Sequence, residues 1–241
     1  AIDMQEPTNE CRDSEDGQLR QERLAFLGQL AGSVAHELRN PLAVISNAVF
    51  YLQNILKDAD KPVQEYLAII ASEVERAAKI VNDLLDIART RSADGREVSV
   101  SALLRLQLEK NPPPANVEVL LRVPDPPPTV FADPIQISQV LSNVISNAYQ
   151  SMLPGGQLTI EAACENDFVV IAVRDTGCGI SKANLEKVFE PLFTTKARGI
   201  GLGLTVARNL VEANQGHIEV ESEEGRGSVF TIRLPRRERQ A

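Results

Sequence analysis

The stretch that decides the fold is residues 63–88, VQEYLAIIASEVERAAKIVNDLLDIA. Its apolar positions are separated alternately by four and by three residues, and they are Val63, Leu67, Ile70, Val74, Ala77, Val81, Leu84 and Ala88. Because an α-helix has 3.6 residues per turn, this spacing places an apolar stripe along one side of a long helix. The stretch therefore predicts a helix that packs in a bundle.

A second helix is predicted before it, with a turn at Asp58, Asp60 and Pro62. Its apolar positions repeat the same rhythm, slip at Pro41 and resume at Leu42. Proline removes a helical hydrogen bond and clashes with the carbonyl four residues earlier, so we expect a bend there. A two-helix hairpin with two apolar flanks cannot bury both alone. We therefore predict a homodimer in which two hairpins form a four-helix bundle.

One histidine in the first helix faces away from this apolar seam. With Ala31 and Val34 assigned to the seam, His36 falls at the position that points furthest from it. Asn40 lies one turn later on the same outer face, and Glu37 lies at its flank. A lone histidine in such a place is usually an ordinary surface residue.

The neighbours of His36 favour another interpretation. The run LAGSVAHELRNPL at residues 30–42 resembles the H-box of histidine kinases, in which His-Glu-x-x-Asn-Pro or His-Glu-x-x-Thr-Pro follows a helix of small residues. The resemblance implies that His36 is the phosphoacceptor, that Glu37 is its general base and that Asn40 positions water for dephosphorylating a partner regulator. A neutral imidazole nitrogen can attack phosphorus while a carboxylate takes the proton from the other ring nitrogen.

A second domain of mixed strands and helices is expected after residues 93–96, ADGR, which break the heptad spacing. Alternating or apolar patterns predict strands at 116–123 and 157–174, helices at 134–151 and 202–214, and a closing hairpin at 216–234. The predicted fold class is a dimeric helical hairpin followed by an α/β two-layer sandwich. The resemblance implies the Bergerat, or GHKL, ATP-binding fold for the sandwich.

Asn143 and Asn147 are one turn apart in the predicted helix 134–151, where asparagine is a poor interior residue. A hydrogen-bonded surface pair is the simpler interpretation. The segment QVLSNVISNA at residues 139–148 resembles the N-box, which implies that both asparagines bind the phosphates of ATP and Mg²⁺. Amide oxygens are suitable ligands for Mg²⁺. Gln150 stands where many relatives carry a basic residue.

Three further motifs complete the predicted ATP site. DTGCGI at residues 175–180 resembles the first glycine box, FEPLFTTK at 189–196 the F-box, and GIGLGL at 199–204 the second glycine box. The Asp175 carboxylate is then implied to accept a hydrogen from the adenine amino group, and Lys196 supplies charge at the phosphates. Backbone N–H groups in glycine-rich turns approach phosphate oxygens closely. The predicted ATP contacts in these motifs are Asp175, Gly177, Gly179, Ile180, Phe189, Phe193, Thr194, Thr195, Lys196, Gly199, Gly201, Leu202, Gly203 and Leu204.

A last motif, GRGSVF at residues 225–230, resembles the closing glycine box and is expected to be mainly structural, with Ser228 at the ATP site. Ile200 replaces the hydroxyl residue usual in the second glycine box, and the lid before it is short, as in nitrogen-regulation-type kinases. The motifs from the H-box to the second glycine box follow the family order.

The predicted function is a sensor histidine kinase core that phosphorylates His36 and passes the phosphoryl group to an aspartate of a response regulator receiver domain. Asn40 adds the hypothesis of regulator phosphatase action. The predicted domains are a linker 1–18, a dimerisation and phosphotransfer hairpin 19–92, a hinge 93–98, a catalytic domain 99–236 and a tail 237–241. One alternative is a scaffold module with a degenerate nucleotide site. Another is a chaperone or topoisomerase-like ATPase.

Composition narrows the partners and the compartment. The 241 residues carry 25 Lys plus Arg against 33 Asp plus Glu, a formal net charge of −8 that opposes binding to nucleic acid. The three cysteines are widely spaced and suggest neither disulfides nor a zinc site, which favours the cytoplasm. We expect membrane attachment only through a sensor region outside this chain, and a natural protein that is longer.

Overall fold

The computed structural model describes residues 38–88, 93–196 and 199–236, with the backbone alone for 83–88. His36 and Glu37 lie outside these ranges. The chain divides into two compact units between Thr90 and Arg91, and each is described by itself. Among the described residues, no helix combines the length and the apolar character that a membrane span needs.

The first unit is a helical hairpin, as predicted. Helix α1 covers residues 38–55 of the described chain, and α2 is Lys61–Ala88. Pro62 is the second residue of α2, where a backbone donor has no partner within the helix. The turn is closed by the Gln64 side chain, whose Nε2 donates to the carbonyl oxygens of Lys57 and Ala59 at 2.7 and 3.0 Å.

The hairpin buries few of its apolar side chains. Val49, Leu67 and Val81 are buried, and Val81 of α2 packs against Leu42 of α1. A larger set of apolar side chains is exposed, and it comprises Leu38, Val44, Ile45, Phe50, Tyr51, Leu52, Ile55, Val63, Tyr66, Ile69 and Ile70. We call these residues the apolar surface of the hairpin. The helix continues through Pro41, and the predicted bend stays a prediction.

The second unit contains a five-stranded mixed sheet with a small two-stranded sheet. The strands are β1 (Arg96–Ser99), β2 (Val117–Arg122), β3 (Thr129–Ala132), β4 (Gly156–Glu165), β5 (Phe168–Asp175), β6 (His217–Glu223) and β7 (Gly227–Pro235). The large sheet has the order β2-β4-β5-β7-β6, in which β2 is parallel to β4 and the other neighbours are antiparallel. Strands β1 and β3 pair with each other.

Helices cover one face of the large sheet. They are α4 (Pro134–Ser151) and α6 (Gly203–Ala213), while α3 (Val100–Lys110) packs against α4 and β1, and the one-turn α5 (Lys182–Leu185) lies near β6. Because side chains alternate along a strand, every second residue points to the helices. In β5 these are Val169, Ile171, Val173 and, at the end, Asp175. The Asp175 carboxylate therefore lies at the edge of the apolar core, on the face of the sheet that the helices cover.

Helix α4 begins at a capped N-terminus. Asp133 Oδ1 accepts hydrogen bonds from the backbone nitrogens of Ile135 and Gln136 at 2.9 and 3.2 Å. Pro134 occupies the first helical position, where its missing N–H costs nothing. The sequence Asp-Pro thus starts the helix where the strand β3 ends.

Helices α4 and α6 run antiparallel. Asn214, just after α6, donates from Nδ2 to Gln136 Oε1 at 2.8 Å in the first turn of α4. At the other end, Asn143 in the middle of α4 donates from Nδ2 to the carbonyl oxygen of Gly203, the first residue of α6, at 3.0 Å. These buried amides fix the start of α6 beside the middle of α4.

The predicted strands and helices of this unit are confirmed, but four elements were missed. Strands β1 and β3 are four residues each, too short for a periodic signal. Helix α3 carries the spacing Val100, Leu103, Leu104, which marks a helical face, and α5 is a single turn. The start of β1 also lies inside the predicted hinge 93–98. A paired strand cannot act as a hinge, so a hinge remains a prediction for residues 93–95 alone.

Candidate functional site

The carboxylate of Asp175 is the most buried acid group of the site. Its side chain is 3% exposed, at the end of β5. Oδ1 accepts a hydrogen bond from the backbone nitrogen of Gly177 at 2.8 Å. It also accepts from Ser151 Oγ at 2.9 Å, whose one hydrogen is shared with the carbonyl oxygen of Ala148 at 2.7 Å. No donor among the described residues reaches Oδ2. A buried carboxylate with one satisfied oxygen leaves the other free for a donor on a ligand.

The loop after Asp175 is held between α4 and the β6–β7 turn. The backbone nitrogen of Cys178 donates to the carbonyl oxygen of Ser151 at 3.1 Å, and its carbonyl oxygen accepts from Gly225 at 2.7 Å. Ile180 donates from its backbone nitrogen to Ser222 Oγ at 2.8 Å. A Cβ atom at Gly177 would lie 2.1 Å from Ser151 Oγ, so only glycine permits this close approach to α4.

Three polar residues along one side of α4 each contact a different motif. Asn143 holds Gly203, Asn147 Oδ1 accepts a hydrogen bond from Lys196 Nζ, and Ser151 holds Asp175. Their spacing of four residues places them on successive turns of one helix face. Asn143 and Asn147 were predicted site residues, whereas Ser151 was not. The missed signal was the same four-residue spacing continued by one turn.

Lys196 lies over the middle of this polar face. Besides Asn147 it contacts Gln150, whose Oε1 accepts from Nζ at 3.0 Å. Burial lowers the pKa of the Lys196 ammonium, while Cys178 and Asp175 act in the opposite direction and raise it. Its backbone is fixed as well, because the nitrogen donates to Thr194 Oγ1 at 3.1 Å. Lys196 is therefore a placed cation within the site.

The F-box segment is attached to the second glycine segment and to α6. The backbone nitrogen of Leu192 donates to the carbonyl oxygen of Gly201 at 3.0 Å. Thr205 Oγ1 in α6 donates to the carbonyl oxygen of Phe189 at 3.1 Å, and the guanidinium of Arg208 lies 5.7 Å from the centre of the Phe189 ring. Motifs that are separate in sequence thus form one wall of the site.

The other predicted residues occupy varied places. Ile180, Phe189 and Leu204 are half-buried against the core, Phe193 is half-buried, and Leu202 is buried. Two hydroxyl residues, Thr194 and Thr195, are exposed. Gly179 and Gly199 lie in the two glycine segments.

Ser228 is buried beside the loop after β5. It pairs with Asp175 across β5 and β7, and its Oγ lies 2.9 Å from Ser222 Oγ. Its hydroxyl therefore contacts the serine that holds Ile180.

In the hairpin, Asn40 is exposed on α1. Next to it, Arg39 Nη2 donates to Asn82 Oδ1 of α2 at 2.8 Å, a link between the two helices that the sequence did not suggest. His36 and Glu37, the predicted phosphoacceptor and its base, lie outside the described residues.

The residues on α4 suit a divalent cation that shares its ligands with a nucleotide. The asparagine pair supplies neutral amide oxygens, and the described residues contain no cluster of three His, Cys, Asp or Glu side chains around a common point. Mg²⁺ usually keeps waters and phosphate oxygens rather than a full set of protein ligands. Asn143 and Asn147 therefore fit a Mg²⁺ that arrives with its nucleotide.

Two family models match the two units. The model described as "His Kinase A (phospho-acceptor) domain" matches residues 26–93, and "Histidine kinase-, DNA gyrase B-, and HSP90-like ATPase" matches residues 132–238. The chain belongs to the histidine kinases. The family resemblance and the fold class that the sequence predicted are thereby confirmed. The first match also argues against a chaperone or topoisomerase-like ATPase.

Named relatives agree with this membership. The signal transduction histidine-protein kinase AtoS of Escherichia coli (strain K12) is 36% identical over 219 residues, which cover 89% of this kinase chain and 36% of AtoS. Two solved structures are similar. Full-length ShkA in complex with AMPPNP has a TM-score of 0.73 and 26% sequence identity, and the match covers 88% of this chain and 47% of that chain. Histidine kinase ThkA in complex with response regulator protein TrrA has a TM-score of 0.64 and 28% sequence identity, and the match covers 98% of this chain and 70% of that chain. The chain spans between about a third and a half of the length of the curated relatives it matches.

Proposed function

We propose that this chain is the catalytic core of a sensor histidine kinase, which binds ATP with Mg²⁺, phosphorylates His36 and passes the phosphoryl group to an aspartate of a response regulator receiver domain. The observation that carries the proposal is the buried Asp175 carboxylate, with Oδ2 free, at the edge of the polar face of α4. An acceptor at this place discriminates adenine, which offers an amino hydrogen, from guanine, which offers a carbonyl. The AMPPNP complex of ShkA supports a nucleotide as ligand, and the complex of ThkA with TrrA supports a response regulator as partner.

The remaining residues of the site bind the nucleotide and place its phosphates. We assign the phosphates to the start of α6 at Gly203, where the first backbone N–H groups of a helix have no partner within it and the helix dipole favours anions. Asn143 and Asn147 would hold Mg²⁺, which offsets the charge on the phosphates. Ile180, Phe189 and Leu204 supply apolar surface for the adenine.

The transfer step uses the hairpin. A ring nitrogen of His36 attacks the γ-phosphorus, the bond from that phosphorus to the β–γ bridging oxygen breaks, and ADP leaves. Glu37 takes the proton from the other ring nitrogen. Asn40, exposed on α1, is open to a partner protein, and we assign it to positioning water for regulator dephosphorylation. The test is the rate at which the phosphorylated regulator loses its phosphoryl group in the presence of the Asn40→Ala variant. A rate equal to that with wild type would contradict this role.

The predicted domain bounds and location belong to the same proposal. The linker 1–18, hairpin 19–92, catalytic domain 99–236 and tail 237–241 are retained, with hinge motion confined to residues before β1. We place this part of the protein in the cytoplasm, with membrane attachment, if present, through a sensor region outside the chain. No contact in the described site favours a scaffold with a degenerate nucleotide pocket.

The test is incorporation of label from [γ-³²P]ATP in the presence of Mg²⁺. Wild type should gain an acid-labile label, because a phosphoramidate hydrolyses in acid, and His36→Gln should gain none. The matched control is His217→Gln, which removes the other histidine, exposed at the start of β6. This variant should label like wild type. Label that persists in His36→Gln, or a wild type that stays unlabelled, would contradict the proposal.

Dimerisation is proposed on the apolar surface of the hairpin. More than ten large apolar side chains of a short two-helix unit are exposed, which is more than a monomer in water normally leaves open. A second hairpin placed against this surface buries it and completes a four-helix bundle. We propose this surface as the interface of the homodimer predicted from the heptads.

Ile70→Glu should dissociate the dimer, because a carboxylate in the predicted seam must be desolvated, which weakens association by about 100-fold or more. The measurement is molar mass by light scattering over a concentration series. Lys79→Glu, an exposed position of the same helix between seam residues Ala77 and Val81, is the control and should remain dimeric. An Ile70→Glu variant with the molar mass of wild type at every concentration would contradict this interface.

A further inference from the structure

Lys196 is held by α4 in a way that the proposed function does not use. Its ammonium donates to Asn147 Oδ1 and to Gln150 Oε1, two amide oxygens three residues apart on the same helix. Gln150 is held in turn by Ser146, to whose Oγ its Nε2 donates at 3.4 Å. Gln150 therefore has two side-chain partners, Lys196 and Ser146.

The charge of this lysine is not neutralised by an acid. Among the described residues Lys196 forms no ion pair, and the nearby Asp175 carboxylate already accepts hydrogen bonds from Ser151 and Gly177. A half-buried ammonium whose direct partners are amide oxygens, with Asp175 acting only at longer range, retains a strong attraction for an anion. It also occupies the oxygen of Asn147, a residue to which the proposed function assigns the metal.

We infer that Lys196 is an internal cation which competes with Mg²⁺ for Asn147 Oδ1, and that Gln150 is the positioning residue which sets the strength of this competition. The inference rests on the proposed function, because it presumes that Mg²⁺ and a nucleotide bind at α4. Two cations cannot share one amide oxygen without strong repulsion. Metal binding must therefore release the Lys196 ammonium from Asn147. The hydrogen bond from Lys196 to Gln150 sets how readily the ammonium leaves.

Two opposite effects of Lys196 follow. Without metal, the ammonium lies beside the phosphates and partly neutralises them, so it favours nucleotide binding. With metal, the same ammonium must first leave Asn147, so it raises the Mg²⁺ concentration needed for half-saturation. An ordinary phosphate-binding lysine would favour nucleotide binding under both conditions. The sign of the effect therefore distinguishes a competing cation from a simple phosphate contact.

The experiment titrates a fluorescent ATP analogue into the full chain in EDTA, and then titrates Mg²⁺ into the protein–nucleotide mixture. Lys196→Met should weaken metal-free nucleotide binding. It should also lower the half-saturating Mg²⁺ concentration by about threefold to tenfold, because Mg²⁺ can bind only the fraction of molecules in which Asn147 Oδ1 is not occupied by Lys196. Gln150→Ala keeps the Lys196 charge but removes one of the two side-chain acceptors of its ammonium. It should lower the half-saturating Mg²⁺ concentration without weakening metal-free binding.

Lys187→Met is the matched control, because it removes one positive charge from an exposed position just before the F-box. It should leave the Mg²⁺ titration unchanged. Equal weakening of nucleotide binding by Lys196→Met with and without Mg²⁺ would overturn the inference, as would an unchanged Mg²⁺ titration in Gln150→Ala. In either case wild type still binds Mg²⁺–nucleotide. A wild type that binds no nucleotide overturns the proposed function instead, and the inference with it.

Discussion

Asp175→Asn is expected to bind ATP about 100-fold more weakly than wild type, because a ligand donor loses a charged acceptor and meets an amide N–H₂ group instead. The substitution preserves volume, so the neighbouring packing is kept. The measurement is equilibrium binding of ATP by calorimetry, together with the thermal unfolding midpoint of each protein. The expected loss is one of affinity, with a small change in the midpoint.

The reason lies in how the two carboxylate oxygens are used. Oδ1 has two protein donors, Ser151 Oγ and the Gly177 nitrogen, which the Oδ1 of asparagine can still accept. Oδ2 has no protein donor among the described residues, and it is the atom that the substitution converts from acceptor to donor. The effect is therefore expected to fall on the ligand rather than on the fold.

Ser151→Ala is the control for Asp175→Asn. It leaves the carboxylate charged but removes one donor from Oδ1, so the carboxylate is less firmly placed. A hydrogen bond to a charged group contributes about 1.5–3 kcal/mol, part of which water can replace at this half-buried serine, so we expect ATP affinity to fall about tenfold. Asp175→Asn with ATP affinity within threefold of wild type, or weaker binding in Ser151→Ala than in Asp175→Asn, would contradict the role given to Oδ2.

The second large effect is expected for Gly201→Ala. Gly201 has a φ of +74°, and a Cβ atom there would lie 2.2 Å from the carbonyl oxygen of Phe193. That carbonyl cannot move away easily, because the preceding residue, Leu192, donates its backbone N–H to the Gly201 carbonyl at 3.0 Å. The methyl group must therefore separate the F-box from the second glycine segment. We expect a loss of about 3 kcal/mol in the free energy of unfolding, or nucleotide binding about 100-fold weaker, measured by urea unfolding and calorimetry.

Gly225→Ala separates the two causes of this loss. Gly225 also has a positive φ, +82°, but a Cβ atom there would meet nothing within 4 Å. It should cost only the conformational term of about 1 kcal/mol and leave ATP affinity unchanged. If both alanine variants lose the same stability and neither loses affinity, the contact between the F-box and the second glycine segment has no role in nucleotide binding.

Much of the site was predicted because its chemistry is local in sequence. Asn143 and Asn147 are one turn apart on a predicted helix. Asp175 ends an apolar strand, and the alternation along that strand indicates which face of the sheet its side chain is on. Each residue could therefore be assigned from its neighbours in sequence alone. The contacts between these motifs could not. Ser151 and Asp175 are 24 residues apart, and Lys196 and Asn147 are 49 apart, so their meeting depends on how strands and helices pack.

Gln150 illustrates the same limit. In the sequence it was a departure from a basic residue, which put a phosphate contact from that position in doubt. In the structure it is a neutral acceptor that holds a basic residue from another motif. Only the packing of the F-box segment against α4 gives it this role.

What the sequence alone determined is the order of a helical hairpin and an ATP-binding sandwich, together with the residue types of the site. Periodicity and short motifs carry that information, because each depends on neighbours a few positions away. The tertiary structure decided which side chains meet: Ser151 with Asp175, Asn143 with Gly203, and Lys196 with Asn147 and Gln150. The physical reason is that these contacts are made only when the antiparallel packing of α4 and α6 and the register of β5 are complete, and no local pattern encodes them.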